Sequence, residues 1–185
     1  MLRAIYKFIY FKLMGWKIEG AFDREVKKCI VAVVPHTSWH DFYIGLMIRS
    51  ITKMKINYVG KKELFKFPFG WYFRWTGGAP IDRTPGQNKV QAMAAVFEGK
   101  EEFRLTLAPE GTRKRVDELR TGFYYIAKEA NVPITLVAFD FGKKQVKIDK
   151  PFYPTDDMEA DFRYIHKFFE GVVGKVPEKS FRYKE

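Results

Sequence analysis

One unbroken apolar run constrains the fold of this chain more than any other feature. Residues 29–34 are apolar and rich in β-branched side chains, and Pro35 ends the run. A strand without polar alternation is typical of the interior of a parallel sheet, where helices cover both faces. We therefore expect a central strand that is buried on both sides.

Helical and strand-like patterns alternate along the rest of the chain. Apolar residues at helical spacing predict helices at residues 2–14, 38–50, 87–97, 121–130 and 157–173. Short apolar runs predict strands at residues 56–59, 103–108, 133–139 and 145–148, the last an edge strand because lysines flank it. Residues 64–75 are predicted to be irregular, and residues 77–80 to form a turn. The alternation predicts one α/β domain over residues 1–185, with a mixed, largely parallel sheet flanked by helices.

Charge and cysteine content limit the class of partner. The chain has 185 residues and a formal net charge of +11, which favours an anionic partner. Nucleic acid, an anionic membrane surface and an acidic carrier protein all meet this description, and charge alone does not separate them. The single cysteine, Cys29, excludes an intramolecular disulfide and a cysteine-based zinc cluster. Its place in the apolar run predicts a buried, inert thiol.

The sequence favours contact with a membrane surface over passage through the membrane. Aromatic residues make up 17% of the chain, and rings mixed with lysines are typical of membrane interfaces. No run approaches the roughly 20 apolar residues that span a bilayer, and no signal-peptide pattern is present. Residues 1–14 form a candidate amphipathic helix that either contacts the membrane or packs on the core. We expect a peripheral protein on the cytoplasmic side of the membrane.

A histidine and an aspartate follow the central strand. His36 and Asp41 can meet if His36 lies on the loop and Asp41 on the first turn of the next helix. An aspartate on one imidazole nitrogen orients the ring, and the other nitrogen can then remove a proton from an alcohol. Taken alone, the pair is more commonly explained as a structural histidine and a helix cap. A metal held by His36 and His40 is disfavoured because no third ligand lies nearby in the sequence.

Two further segments combine glycine with arginine. Residues 77–83 place Arg83 after a glycine turn, where its guanidinium can hold a phosphate. Residues 110–113, Glu-Gly-Thr-Arg, follow a predicted strand, and the Gly111 and Thr112 backbone and the Arg113 side chain can form an anion cradle. Taken alone, each segment is better explained as a polar surface turn or loop. In order, however, the three describe a base beside a site for a phosphate-bearing alcohol.

The absence of two motifs limits the reaction mechanisms that the sequence allows. The chain has no G-x-S-x-G nucleophile motif and no G-x-x-x-x-G-K phosphate loop. We therefore expect direct acyl transfer without a covalent acyl-enzyme.

These motifs together resemble those of the glycerolipid acyltransferases, the group that contains lysophosphatidic acid acyltransferase. The H-x-x-x-x-D motif is matched by His36 and Asp41, and the second motif ends in Pro-Ile-Asp-Arg at Arg83. The E-G-T-R motif is matched at residues 110–113, and a Val-Pro-Ile segment at residues 132–134. Order and spacing agree over roughly residues 31–139.

The resemblance implies a glycerolipid acyltransferase-like α/β fold and O-acyl transfer from acyl-CoA or acyl-carrier protein. The implied acceptor is a hydroxyl of a lysophospholipid, with 1-acylglycerol-3-phosphate the leading expectation. It implies that His36 is the general base and that Asp41 orients it. The residues implied to bind the acceptor are Arg83, Glu110, Gly111, Thr112 and Arg113. No metal and no cofactor besides the acyl donor is expected.

Two other functions remain as alternatives. A basic nucleic-acid-binding protein would account for the charge and the aromatic residues, although no recognition motif of that kind is present. A non-catalytic phospholipid-binding relative is the other alternative, and the intact His36 and Asp41 argue against it.

Overall fold

The computed structural model describes residues 2–81 and 89–182. Within them, seven strands form one sheet in the order β1-β7-β6-β2-β5-β3-β4. Neighbouring strands are parallel, except that β6 and β7 are antiparallel. The strands are β1 (Lys17–Glu19), β2 (Lys28–Val34), β3 (Asn57–Lys61), β4 (Gly78–Ile81), β5 (Phe103–Leu107), β6 (Ile134–Asp140) and β7 (Gln145–Ile148). The predicted α/β domain with a mixed, largely parallel sheet is confirmed.

Helices cover both faces of the sheet. They are α1 (Leu2–Lys7), α2 (His40–Thr52), α3 (Gly70–Trp75), α4 (Lys89–Ala94), α5 (Gly122–Glu129) and α6 (Met158–Phe169). A π-helical segment, Phe8–Leu13, continues α1, and we call the two together the N-terminal helix. Short 3-10 turns occur at Lys62–Phe65, Ala95–Phe97 and Pro177–Lys179. Within the two described ranges, no helix has both the length and the apolar character to cross a bilayer.

Strand β2 is the centre of the molecule, as its composition predicts. It pairs with β5 on one side and β6 on the other. Its even-numbered side chains enter a core built with α4, α5 and α6. Its odd-numbered side chains enter a second core built with α2 and the N-terminal helix. Because successive side chains of a strand point to opposite faces, a strand between two cores has no position for a polar residue.

Three predictions about elements are wrong. Strand β7 is not an edge strand, because β1 pairs with it in parallel and covers it. Residues 77–80 are not only a turn, because β4 begins at Gly78 and pairs with β3. Residues 64–75 are not irregular throughout, because they contain a 3-10 turn and α3. The first two errors concern strand pairing with β1 and β3, which local patterns do not reveal.

Candidate active site

The loop between β2 and α2 brings His36 to Asp41. Strand β2 ends at Val34, and Asp41 lies in the first turn of α2. The Nδ1 atom of His36 is 3.1 Å from Oδ2 of Asp41, so the contact predicted from their spacing is confirmed. The His36 side chain is 30% exposed, whereas that of Asp41 is buried. The imidazole is therefore held from the protein side and remains accessible from solvent.

The Asp41 carboxylate is fixed by the backbone of the same loop. Its Oδ2 atom accepts hydrogen bonds from the backbone N–H groups of Thr37 and Ser38, each at 2.9 Å. Its position at the N-terminus of α2 also favours a negative charge, because the helix dipole is positive at that end. A carboxylate held in this way orients the His36 ring and stabilises the imidazolium when it forms.

The second nitrogen of His36 faces an arginine. Nε of Arg113 donates a hydrogen bond of 3.3 Å to Nε2 of His36. Since Nε2 accepts this bond, the ring proton lies on Nδ1, toward Asp41. Arg113 is exposed and follows β5, the strand next to β2. A base nitrogen and a guanidinium therefore share one opening at the carboxyl end of the sheet, where ligands of such sheets bind.

Glu110 is buried and holds the backbone of His36. The residue is 0% exposed, and its Oε2 atom accepts a hydrogen bond from the His36 backbone N–H. Within the described ranges its other oxygen, Oε1, has no hydrogen-bond partner. Burial raises the pKa of Glu110 to about 7, against the His36 N–H, which lowers it, and the nearby Asp41 raises it further. The expectation that Glu110 contacts the acceptor does not fit this position, since the carboxyl group has no surface open to a ligand.

The residues that form this site lie within a match to a known protein family. A model of the Acyltransferase family matches residues 16–140, which is more than half of the chain and includes His36, Asp41 and Arg113. The chain belongs to the Acyltransferase family. In this acyltransferase-family protein the histidine, the aspartate and the E-G-T-R segment thus lie together at one end of the sheet.

Two individual proteins are similar to this chain. A 1-acyl-sn-glycerol-3-phosphate acyltransferase from Streptococcus pneumoniae is 34% identical over 112 residues, which are 59% of this chain and 40% of that protein. The matched part thus spans less than half of that relative's length. The crystal structure of the 1-acyl-sn-glycerophosphate (LPA) acyltransferase PlsC from Thermotoga maritima is similar with a TM-score of 0.56 and 19% identity, covering 90% of this chain and 76% of that one. At this identity the second likeness concerns the fold.

The rest of the E-G-T-R segment of this family member forms a tight turn. The backbone N–H of Gly111 donates to the carbonyl oxygen of Ala108 at 2.9 Å, so it is not free to cradle an anion as expected. Gly111 has a φ of 64°, and a Cβ there would lie 2.7 Å from Nε of Arg120. Thr112 accepts a hydrogen bond from the Lys114 N–H through its hydroxyl. Arg120, which no sequence motif singled out, therefore packs directly on this turn.

Arg83 and His40 are the remaining residues that the sequence singled out. Arg83 lies outside the described residues, so its predicted role stays a prediction. His40 does not join His36. Its Nδ1 atom lies 2.9 Å from the Ser38 hydroxyl, and its ring stacks on Trp39 with centroids 4.0 Å apart.

A largely apolar cavity adjoins the loop between β2 and α2. Its volume is about 600 Å³, and its walls include Trp39, His40, Ile44, Met47, Phe141 and Lys175. His36 does not line it, but Trp39 belongs to the same loop and His40 begins α2. The cavity offers an apolar surface beside the loop that carries His36, of a kind suited to an alkyl chain.

Proposed function

We propose that this protein transfers a fatty acyl group from acyl-CoA or acyl-carrier protein to a hydroxyl of a lysophospholipid-type acceptor, with 1-acylglycerol-3-phosphate the leading candidate. The observation that carries the proposal is the His36–Asp41 pair with Arg113 at the second imidazole nitrogen. Family membership supports the reaction class. The name of the Streptococcus pneumoniae relative supports the acceptor.

His36 acts as the general base in this mechanism. Its Nε2 takes the proton of the acceptor hydroxyl as the oxygen attacks the thioester carbonyl of the donor. The resulting imidazolium is stabilised by Asp41, 3.1 Å from Nδ1. When the tetrahedral intermediate collapses, the C–S bond breaks and the departing thiolate takes the proton from His36. The products are the ester and the free thiol, and the enzyme returns to its starting state.

Arg113 holds the phosphate of the acceptor in this proposal. Its guanidinium is exposed and adjoins Nε2, and it can bind two phosphate oxygens at once. Binding the phosphate there brings the acceptor hydroxyl to the base, which lowers the entropic part of the barrier. Arg83 remains a second candidate for the phosphate. Glu110 acts through the His36 backbone as a positioning residue.

Direct transfer is favoured over a covalent acyl-enzyme. Burial raises the pKa of Cys29 to about 11, and the residue lies inside β2, away from solvent. The hydroxyl of Ser38 is paired with His40 and not with His36. The nucleophile is therefore the acceptor's own hydroxyl.

A substitution at His36 tests the proposal. Labelled acyl-CoA and acyl-carrier protein are each incubated with 1-acylglycerol-3-phosphate and other lysophospholipids, and the products are identified by lipid mass spectrometry. We expect His36→Ala to lose at least about 1000-fold in kcat, because the base is removed. A His166→Gln variant on α6 provides a histidine control away from the loop. Undiminished turnover by His36→Ala, with its circular dichroism unchanged, would contradict the mechanism.

A further inference from the structure

One short stretch exposes aromatic side chains far beyond what a solvated surface needs. Within residues 64–75, the side chains of Phe67 and Trp71 are 97% and 69% exposed. Leu64, Phe69 and Trp75 are exposed as well. We call these five residues the aromatic ridge. Large exposed apolar patches in natural proteins mark contact sites for other proteins or for membranes.

Hydrogen bonds and close packing fix the backbone of the aromatic ridge. Arg74 donates a hydrogen bond of 2.9 Å to the Phe65 carbonyl, and its guanidinium lies over the Phe65 ring. Gly70 packs so closely that a Cβ would lie 2.1 Å from the same carbonyl oxygen. The Tyr58 hydroxyl bonds to Thr76 at 2.7 Å, just after α3. These contacts hold the ridge in a defined conformation with its rings pointing outward.

The aromatic ridge shares one side of the molecule with the opening at His36. Phe42 on α2 packs edge-on against Tyr58, with ring centroids 5.6 Å apart, and the Tyr58 hydroxyl donates to the Phe73 carbonyl of α3 at 3.2 Å. The next residue of α2, Tyr43, packs edge-on against Trp39 of the loop between β2 and α2, with ring centroids 5.1 Å apart. The N-terminal helix adjoins α2 as well, since Arg3 donates a hydrogen bond of 3.0 Å to the Ile51 carbonyl.

The exposed apolar residues concentrate on these same elements. Among the described residues, eleven of the fourteen large exposed apolar side chains belong to the N-terminal helix, the start of α2 or the ridge. The other three are Tyr125 on α5, Tyr153 in the segment before α6, and Tyr164 on α6. One side of the molecule is thus far more apolar than the rest.

Charge around the aromatic ridge complements an anionic lipid surface. Residues 61–81 contain four basic side chains and one acidic side chain, Glu63. Lys66 and Arg74 are exposed among the ridge residues. The N-terminal helix adds Lys7 and Lys12, and residues 1–15 contain no acidic residue. Rings that enter the headgroup region, flanked by cations that meet lipid phosphates, are the features of an interfacial membrane contact.

We propose that the aromatic ridge is a membrane-inserting site of its own, separate from the N-terminal helix, and that both dock the protein on an anionic bilayer with the His36 opening toward the headgroups. This deepens the proposed function, since a lysophospholipid acceptor resides in such a surface, but membrane binding is measured without turnover. Charge favours a bilayer over a second protein, because the exposed cations Lys66 and Arg74 stand among the rings of the ridge and match lipid phosphates.

Vesicle binding tests the proposal directly. The full chain and a Phe67→Ser/Trp71→Ser variant are mixed with vesicles of phosphatidylglycerol and phosphatidylcholine, and the bound fraction is measured by flotation. We expect the variant to partition at least about tenfold more weakly, because two apolar anchors are lost. The control is Tyr125→Ser/Tyr153→Ser, which removes two exposed rings elsewhere and should bind as the unaltered chain does. Equal binding by all three, with equal melting temperatures, would overturn the proposal.

A fluorescent probe reports insertion independently of affinity. The only cysteine, Cys29, is buried, so a Phe67→Cys variant takes an environment-sensitive dye at one position. On adding the same vesicles we expect a blue shift and a rise in emission at position 67, and neither at Tyr153→Cys. No change at position 67 would overturn insertion. Concentration-dependent dimerisation in sedimentation, lost in Phe67→Ser/Trp71→Ser and without lipid binding, would assign the ridge to self-association instead.

Kinetics separate this proposal from the proposed function. The Phe67→Ser/Trp71→Ser variant should lose about tenfold in rate on vesicle-embedded acceptor and retain the full rate on a short-chain acceptor dissolved in water. If the unaltered chain acylates neither acceptor but still needs the ridge to bind vesicles, the acyltransferase proposal fails and the ridge proposal stands. Equal loss on both acceptors would assign the ridge to the catalytic fold and overturn its role as a docking site.

Discussion

Two carboxyl groups hold one histidine in different ways. Asp41 contacts the imidazole, and its Oδ2 atom also accepts two backbone hydrogen bonds. Glu110 contacts only the His36 backbone N–H, and within the described ranges its Oε1 has no partner. A buried carboxyl group with few donors favours its neutral form, which is the cause of the raised pKa of Glu110. Asp41 therefore contacts the ring of His36, and Glu110 positions its backbone.

The first prediction concerns the pH dependence of stability at Glu110. Its folded pKa, about 7, lies above the ordinary 4.5, so the folded state holds the proton more tightly than the unfolded chain. Below pH 4.5 both states are protonated; between pH 4.5 and 7 the unfolded chain ionises first, and the free energy of unfolding falls. Glu110→Gln keeps an acceptor but does not titrate. Between pH 5 and pH 8, the free energy of unfolding of Glu110→Gln should therefore rise by about 2 kcal/mol relative to that of the unaltered chain.

Urea unfolding of both proteins at the two pH values measures this difference. Glu110→Asp, which still titrates but is shorter, serves as the control for loss of packing. Parallel pH profiles for the unaltered chain and Glu110→Gln would show that the carboxyl group ionises freely in the folded state.

The site was predictable from the sequence only where neighbours in the chain are neighbours in space. His36 and Asp41 are five residues apart on a strand-to-helix loop, so their contact follows from local geometry. Glu110 meets His36 across 74 residues, and its burial depends on how β2 and β5 pair. A carboxylate in a motif looks available for a ligand until the packing of both strands is known. The packing of Arg120 against Gly111 could not be predicted from the sequence for the same reason.

At the scale of elements, the segment after α6 clamps the loop between β2 and α2. The Val176 N–H donates to the Thr37 hydroxyl at 3.3 Å, and Thr37 in turn donates its own N–H to Asp41. Gly174 lies so close that a Cβ would come within 2.6 Å of the Thr37 side chain. Its N–H donates to the Ser180 hydroxyl at 2.9 Å. This segment lies beyond the residues that match the family model, and it stabilises the loop that carries His36.

We expect Gly174→Ala to loosen this clamp. The added methyl group overlaps Thr37 and Pro35, and overpacking of this kind costs about 1–3 kcal/mol of unfolding free energy. Because the overlap is with the loop itself, kcat should fall as well. Gly122→Ala is the matched control, since a Cβ there meets nothing within 4 Å. Thermal unfolding and kcat are measured for both variants. An unchanged melting temperature in Gly174→Ala would contradict the close packing.

The elements that the sequence predicted well are those with strong local patterns. Strand β2 was recognisable because six consecutive apolar residues have no other stable place than a two-sided core. Strand β4 contains Gly78 and Pro80, residues typical of turns, and it exists because β3 offers it a parallel partner. Strand β1 has three residues, too few for any period to show. Whether the residues of β1 and β4 form strands thus depends on pairing with distant strands and not on local propensity.

At the scale of the whole molecule, the N-terminal helix has one buried face and one exposed face. Tyr10 is 0% exposed and belongs to the core under α2, and its hydroxyl donates to the Lys17 carbonyl at 2.9 Å. Phe8 is 57% exposed on the outer face. Packing on the core and contact with a membrane, which the sequence left as alternatives, are therefore compatible. Deleting the helix removes both at once, so single substitutions are the sharper test.

The last prediction separates the two faces of this helix. Tyr10→Ala should lower the free energy of unfolding by about 3–5 kcal/mol, since it empties a fully buried aromatic site. Tyr10→Phe should cost only about 1 kcal/mol, the net value of one hydrogen bond. Phe8→Ala should leave stability within about 0.5 kcal/mol and weaken vesicle binding instead. Urea unfolding and flotation of the three variants measure both quantities. Loss of stability in Phe8→Ala equal to that in Tyr10→Ala would mean that the whole helix, and not one face, belongs to the core.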